Sequence, residues 1–158
     1  MSVGAGSATV EGAVRTTRLI ALGLGAGPVL FLIPAYLFGM GGMDQAMRPL
    51  QIVAGALGLV APAAGYHLFL AAKGRADADS ALDGETRIRR FIQAFIVALA
   101  VSEGGALLAA VAYFLTGQPL TLLGVAAHLL IVGALWPSVE RVQWFIQPAE
   151  PLEPGPEA

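Results

Sequence analysis

The stretch FIQAFIVALAVSEGGALLAAVAYFLT, residues 91–116, indicates the fold of this chain more clearly than any other segment. It exceeds the roughly 20 helical residues that cross the hydrocarbon core of a bilayer, and its one charged side chain is Glu103. A segment in lipid must satisfy its backbone polar groups internally, which a helix does. The stretch therefore predicts a membrane-spanning helix.

Three further apolar runs, 19–38, 50–72 and 120–136, extend this pattern, and the last of them is the shortest. The chain is 56% hydrophobic and only 13% charged, with a mean hydropathy of +0.72, whereas a soluble domain is about 25% charged. The runs are too continuously apolar for the alternating strands of a barrel. We predict an all-α integral membrane protein, in which four transmembrane helices form an antiparallel bundle of two hairpins.

The basic residues predict how the chain is threaded. All but one of the nine Lys and Arg residues lie before the first run, between the second and third, or after the fourth; the exception is Arg48. By the positive-inside rule the side that carries the others is cytoplasmic. We expect both termini in the cytoplasm and the protein in the inner membrane of a bacterium, with the first run retained as a span and not cleaved as a signal peptide.

The segments outside the runs are expected to lie on the cytoplasmic side. Residues 1–18 form an N-terminal segment, and KGRADADSALDGETRIRR, residues 73–90, is expected to be a long solvated loop. Within 137–158, PSVERVQWF favours a short interfacial helix that Ser138 caps, with Trp144 and Phe145 against the headgroups. The Pro- and Glu-rich remainder cannot bury apolar surface and is expected to be a disordered tail.

Composition and motifs exclude several classes of function. The chain has no cysteine, which removes disulfides, thiolate metal sites and cysteine nucleophiles. Its net charge of −2 argues against nucleic acid as a partner. Neither a phosphate-binding loop, a catalytic triad nor metal-ligand spacing is present in the sequence. We therefore expect no enzymatic activity, no cofactor and no metal; the expected partners are the lipid bilayer and either further copies of the chain or a larger membrane complex.

Small residues predict how the helices pack, because helices in lipid associate through close backbone contact. They recur every three or four positions along the third helix, and the second helix has a similar stripe, so we expect the two stripes to face each other. Proline in a membrane helix removes a backbone hydrogen bond, and neighbouring helices satisfy the freed carbonyl. Pro28, Pro34 and Pro62 lie within the predicted helices, so each is expected to free a carbonyl in this way. The stripe residues are Ala54, Gly58, Ala61 and Gly65, and Ala94, Ala98, Ser102, Gly105, Ala109, Ala112 and Thr116.

Glu103 is the candidate functional residue. At about 100° per residue it lies roughly 150° around its helix from the small stripe, so it should face the first helix, the fourth helix or another copy of the protein. An ionised acid at the bilayer centre costs about 2.5–3.5 kcal/mol or more, so we expect Glu103 to be uncharged. Such a carboxyl can take up and release a proton when its access to water changes.

His128, in the fourth run, is the predicted partner of Glu103. Folding the chain about Gly117 and Gln118 places it within roughly one turn of Glu103 in depth. Two interpretations remain open, a proton or cation site made of Glu103 and His128, and a polar pair that only locks helices together in a structural or assembly subunit. The remaining polar side chains of the runs are expected to be interface residues, namely Gln51, Tyr66, His67 and Gln93.

The segment RIRRFIQAFIVALAVSEGGALLAAVAYFL, residues 87–115, resembles the outer helix of the proteolipid c subunit of rotary ATP synthases and ATPases. That helix follows a basic cytoplasmic loop and carries an ion-binding acid near its middle. The preceding AGALGLVAPAAGY is similar to the small-residue inner helix of the family. The resemblance covers under half of the chain and implies that Glu103 is the ion-binding carboxylate and that copies of the chain assemble into a ring.

Overall fold

The structure is a computed structural model that describes residues 3–38 and 48–147, with the backbone alone for residues 3–9. This part of the chain is helical and contains no strand. The predicted tail beyond residue 147 lies outside the described residues. The helices are α1 (Val3–Phe38), α2 (Arg48–Ala78), α3 (Gly84–Thr116), α4 (Leu122–Ala134) and α5 (Val139–Ile146), and a 3-10 turn, Pro119–Thr121, precedes α4.

Three helices, α1, α2 and α3, are long and apolar enough to cross a membrane, which makes this a multi-pass membrane protein. The predicted fourth span is shorter than expected. With 13 residues, α4 is about 20 Å long, which is less than the roughly 30 Å of a hydrocarbon core. It ends before Pro137, which disfavours helical backbone at the preceding residue. The segment Pro119–Ala134 and α5 meet at an angle of 77°, so they make a fourth span only if the bent pair crosses as one unit.

The small residues of α2 and α3 face each other, as the sequence predicts. A Cβ atom added to Gly58 would lie 3.1 Å from Ala109 Cβ, and one added to Gly105 would lie 2.6 Å from Ala61 Cβ. A Cβ atom added to Gly65 would likewise overlap the Ala98 carbonyl oxygen. The two backbones approach closely because neither has a larger side chain at the contact.

Helix α3 is the centre of the molecule, and this corrects the predicted arrangement of two hairpins. Among the described residues α1 packs mainly against α3, α4 and α5, whereas α2 packs against α3 and α4. Phe31 of α1 and Phe114 of α3 meet edge to face with ring centroids 6.3 Å apart. The first two helices therefore do not form a packed hairpin, because α3 lies between them and offers a face to each.

The prediction that 73–90 is a long loop is wrong for most of its length, although many of its residues are exposed. Helix α2 continues to Ala78 and α3 begins at Gly84, so only residues 79–83 connect them. Two cations of this region are buried and bonded. Lys73 Nζ pairs with the Asp77 carboxylate and donates to the Gln147 carbonyl at 3.2 Å, and Arg87 donates to the carbonyls of Leu82 and Asp79. Packing at this end of the bundle extends both helices beyond the apolar runs.

We call this end of the bundle, where the N-terminal half of α1, the C-terminal end of α2, the start of α3 and α5 meet, the basic end. Here α1 begins well before the first apolar run and forms one continuous helix with it. Arg18 Nε donates to the Pro137 carbonyl at 3.0 Å, which ties α1 to the segment between α4 and α5. The extension of α1 also contributes buried side chains to the core, Val10, Ala13 and Val14.

Helix α5 forms where the sequence predicts a short helix, and Ser138 caps it by accepting a hydrogen bond from the Arg141 amide at 3.2 Å. Trp144 is 47% exposed, but Phe145 is fully buried, so the prediction that both rings face the headgroups is wrong for Phe145. Its ring lies 5.5 Å from that of Phe69 and 5.4 Å from that of Phe91. The aromatic contacts hold α5 against α2 and α3.

The cap at the start of α3 is expected to make the stability of the protein depend on pH. Asp83 Oδ1 accepts a hydrogen bond from the Thr86 amide at 2.7 Å, and this bond lowers the pKa of the Asp83 carboxyl below its usual value of 3.8. The stabilisation is therefore present above pH 3.8 and lost as the pH falls through the pKa of the folded state. Asparagine also caps well but has no carboxyl that titrates. We therefore expect the melting temperature in detergent to fall less in Asp83→Asn than in the native chain as the pH is lowered below 3.8. An identical acid profile in the variant would contradict this role of Asp83.

Candidate functional site

A buried histidine links three helices at the centre of the described bundle. His128 of α4 is fully buried. Its Nδ1 atom lies 2.8 Å from Ser102 Oγ of α3, and its Nε2 atom lies 3.2 Å from the Leu24 carbonyl oxygen of α1. One side chain therefore connects α1, α3 and α4 at a single level.

The Leu24 carbonyl needs this contact because of a proline in its own helix. In an α-helix the carbonyl of residue 24 accepts from the amide of residue 28, and Pro28 has no amide proton. His128 Nε2–H supplies the missing donor. Because a neutral imidazole carries one N–H, Nδ1 then accepts from the Ser102 hydroxyl. We call this chain of hydrogen bonds from Ser102 through His128 to Leu24 the histidine bridge.

Glu103 follows Ser102 on α3 but faces a different part of its surroundings. A Cβ atom added to Gly27 of α1 would lie only 2.5 Å from Glu103 Oε1, so the glycine leaves the space that the carboxyl occupies. The residue is partly exposed, and none of the described residues donates a hydrogen bond to its carboxyl. Of the three directions left open by the sequence, the structure places Glu103 towards the first helix.

The predicted hydrogen bond between Glu103 and His128 is not formed. Both ring nitrogens of His128 are engaged by Ser102 and Leu24. The predicted depth of His128 relative to Glu103 is nonetheless close to the observed one. His128 contacts Leu24 and Glu103 lies against Gly27, and these two residues belong to the same turn of α1. The predicted partner was wrong because adjacent residues of a helix point about 100° apart. His128 faces the side of α3 that carries Ser102 and not the side that carries Glu103.

Two members of the site were missed by sequence analysis. Ser102 was assigned only to the small-residue stripe, although a hydroxyl in that stripe can also bond across to a neighbouring helix. Leu24 contributes only its carbonyl, and the one signal for it is Pro28, four positions later. The general prediction that neighbouring helices satisfy a carbonyl freed by proline is confirmed at this position.

The chemistry that this arrangement supports is limited to a single carboxyl and a neutral imidazole. Within residues 3–38 and 48–147, no group of three His, Asp or Glu side chains is placed to hold a metal ion. Glu103 can exchange a proton, or bind a cation to which other oxygen atoms also contribute. The histidine bridge, with each nitrogen occupied, can hold three helices in register.

Comparison of the chain with protein-family models, with curated proteins and with solved structures finds no match.

Proposed function

We propose that Glu103 is a proton- or cation-binding site within the membrane, in the manner of the c-subunit hairpin that this part of the sequence resembles. The observation that carries the proposal is a partly exposed carboxyl on a membrane helix that receives no hydrogen bond from a described residue. Carboxyls inside membranes are rare and mark ion and proton pathways. A carboxyl without a fixed donor can exchange its proton without breaking a structural bond.

His128 has a supporting part in this proposal. By bonding to the Leu24 carbonyl it holds the α1 turn that also contains Gly27, and Gly27 provides the space for the Glu103 carboxyl. His128 then positions the site without carrying the ion itself. A change at His128 would alter the surroundings of Glu103 through α1.

The proposed topology has four membrane crossings in a bacterial inner membrane, and the fourth is made by the bent pair of Pro119–Ala134 and α5 crossing as one unit. The basic end lies in the cytoplasm, in keeping with the positive-inside rule. The half-exposed Trp144 of α5 lies at the depth of the headgroups, where tryptophan is enriched. In a ring of copies, the partly exposed side of Glu103 would face the next subunit.

A carbodiimide tests the proposal, because this reagent modifies protonated carboxyls in apolar surroundings. We expect the purified protein in mild detergent to be labelled at Glu103 and the labelling to disappear in Glu103→Gln, with the melting temperature unchanged. The matched control is Glu85→Gln, since Glu85 is an exposed carboxyl on the same helix whose side chain is 67% accessible. Absence of labelling in the native protein, or equal labelling in Glu103→Gln, would remove the proposal.

A second candidate is a structural or assembly subunit, and the histidine bridge favours it. The buried imidazole joins three helices and so keeps them in a fixed arrangement. A subunit that presents a constant surface to a partner requires such an arrangement. Proton uptake into vesicles containing the protein separates the candidates. Faster uptake with the native chain than with Glu103→Gln supports the ion site, and equal uptake supports the structural subunit.

A further inference from the structure

A groove between α2 and α3 lies at the basic end, on the outside of the bundle and away from Glu103. It has a volume of about 450 Å³. Its residues come from one face of each helix and recur at spacings of three, four and seven positions. The lining residues are Leu68, Ala72 and Arg75 of α2 and Arg90, Gln93, Ala94 and Val97 of α3. We call it the arginine groove.

The chemistry of the arginine groove changes steadily along its length. Leu68 and Val97 line the end nearer the membrane centre, and Arg75 and Arg90 line the end nearer the aqueous phase. On each helix the arginine is seven residues from the apolar residue, which is about 10 Å along the axis. Because the helices are antiparallel, both walls change from apolar to cationic in the same direction.

The cations of the groove are available to a ligand. Arg75 is exposed and makes no ion pair or side-chain hydrogen bond with a described residue. Arg90 is 40% accessible, and its contact with the Asp79 carboxylate is long, at 3.4 Å. Gln93, also exposed, adds an amide that can donate. The alanines between the apolar and cationic ends, Ala72 and Ala94, keep the middle of the groove open.

We propose that the arginine groove binds an anionic phospholipid, with the phosphate group between Arg75 and Arg90 and an acyl chain along Leu68 and Val97. Basic pockets between membrane helices on the cytoplasmic side are suited to anionic headgroups, and the apolar end of this one continues into the hydrocarbon. A helix from a second copy fits less well, because it would bury Arg75 without a matching negative charge. The proposal does not depend on the role of Glu103.

Native mass spectrometry of the full chain tests this proposal, using mixed micelles of detergent with phosphatidylglycerol or phosphatidylcholine. We expect phosphatidylglycerol to be retained preferentially. The double variant Arg75→Gln/Arg90→Gln should weaken its binding about 10- to 30-fold. The matched control, Arg15→Gln/Arg89→Gln, removes the same charge from exposed arginines of the basic end that do not line the groove, and should bind as the native chain does.

A steric variant separates the groove from its charge. Ala72→Phe fills the middle of the groove while leaving both arginines, and we expect it to lose the lipid while the melting temperature shows that it is folded. Equal retention of the two lipids, equal weakening in the control variant, or full binding by Ala72→Phe would overturn the proposal. So would release of the lipid by millimolar glycerol phosphate, which would indicate a site for a soluble phosphate, or loss of a dimer in Ala72→Phe without loss of lipid.

Discussion

Gly105→Ala is expected to destabilise the protein strongly, whereas Gly104→Ala, one residue earlier on the same helix, should leave its stability unchanged or slightly raise it. A Cβ atom at Gly105 would lie 2.6 Å from Ala61 Cβ and 2.9 Å from the Leu57 carbonyl oxygen, and neither atom can rotate away. Helices α2 and α3 would have to separate, and overpacking of this kind costs about 1–3 kcal/mol. A Cβ atom at Gly104 has no neighbour within 4 Å.

The pair of variants is informative because the helix propensity of the two changes is the same. The measurement is the free energy of unfolding in mixed micelles, or the melting temperature in mild detergent. On α2, Gly65→Ala should be as damaging as Gly105→Ala, because the Ala98 carbonyl occupies the space, and Gly55→Ala, with no neighbour within 4 Å, is its control. Equal stability of Gly104→Ala and Gly105→Ala would show that α2 and α3 do not pack through their glycines.

His128→Leu is expected to have the second large effect. Leucine fills most of the space of the imidazole but leaves the Leu24 carbonyl without a donor and the Ser102 hydroxyl without its acceptor. A buried polar group that loses its partner costs about 1–3 kcal/mol. We expect the free energy of unfolding to fall by about this amount, with the variant still inserted in the membrane.

Pro28→Ala tests the cause of that effect. Alanine restores the amide at position 28, which can donate to the Leu24 carbonyl within α1. In this background His128→Leu should cost about 1 kcal/mol less than in the native chain, within the range that interacting pairs show in double-mutant cycles. Phe31→Leu, elsewhere on α1, is a control that should be additive with His128→Leu. Additivity of Pro28→Ala as well would show that His128 does not replace the amide lost at Pro28.

The candidate site could be predicted in part. Glu103 stands out because it is the one charged residue of the run 91–116, and its angle to the small stripe limited the directions in which it can face. The depth of His128 followed from counting residues through the turn after α3. Its partners did not follow, because Ser102 and Glu103 are adjacent and only the rotation of α4 about its axis decides which of them it meets.

The ends of the helices show a second limit of hydropathy. The apolar runs locate the parts of α1, α2 and α3 that can lie in lipid, but each helix continues beyond its run at the basic end. From the sequence Lys73 and Arg87 are expected to be solvated, yet in the structure both are buried and hydrogen-bonded. Their burial depends on α5 and on the connection 79–83, which hydropathy does not relate to them.

The sequence alone is enough to predict that this is a multi-pass helical membrane protein, that α2 and α3 meet through small residues, and that Glu103 lies away from that contact. These properties follow from the length of apolar runs and from spacing within one helix. The folded structure was needed to show that α1 packs on α3, that His128 joins Ser102 to the Leu24 carbonyl, and that the arginine groove opens at the basic end. Contacts between helices depend on their relative rotation and register, and these are set by how all side chains pack together.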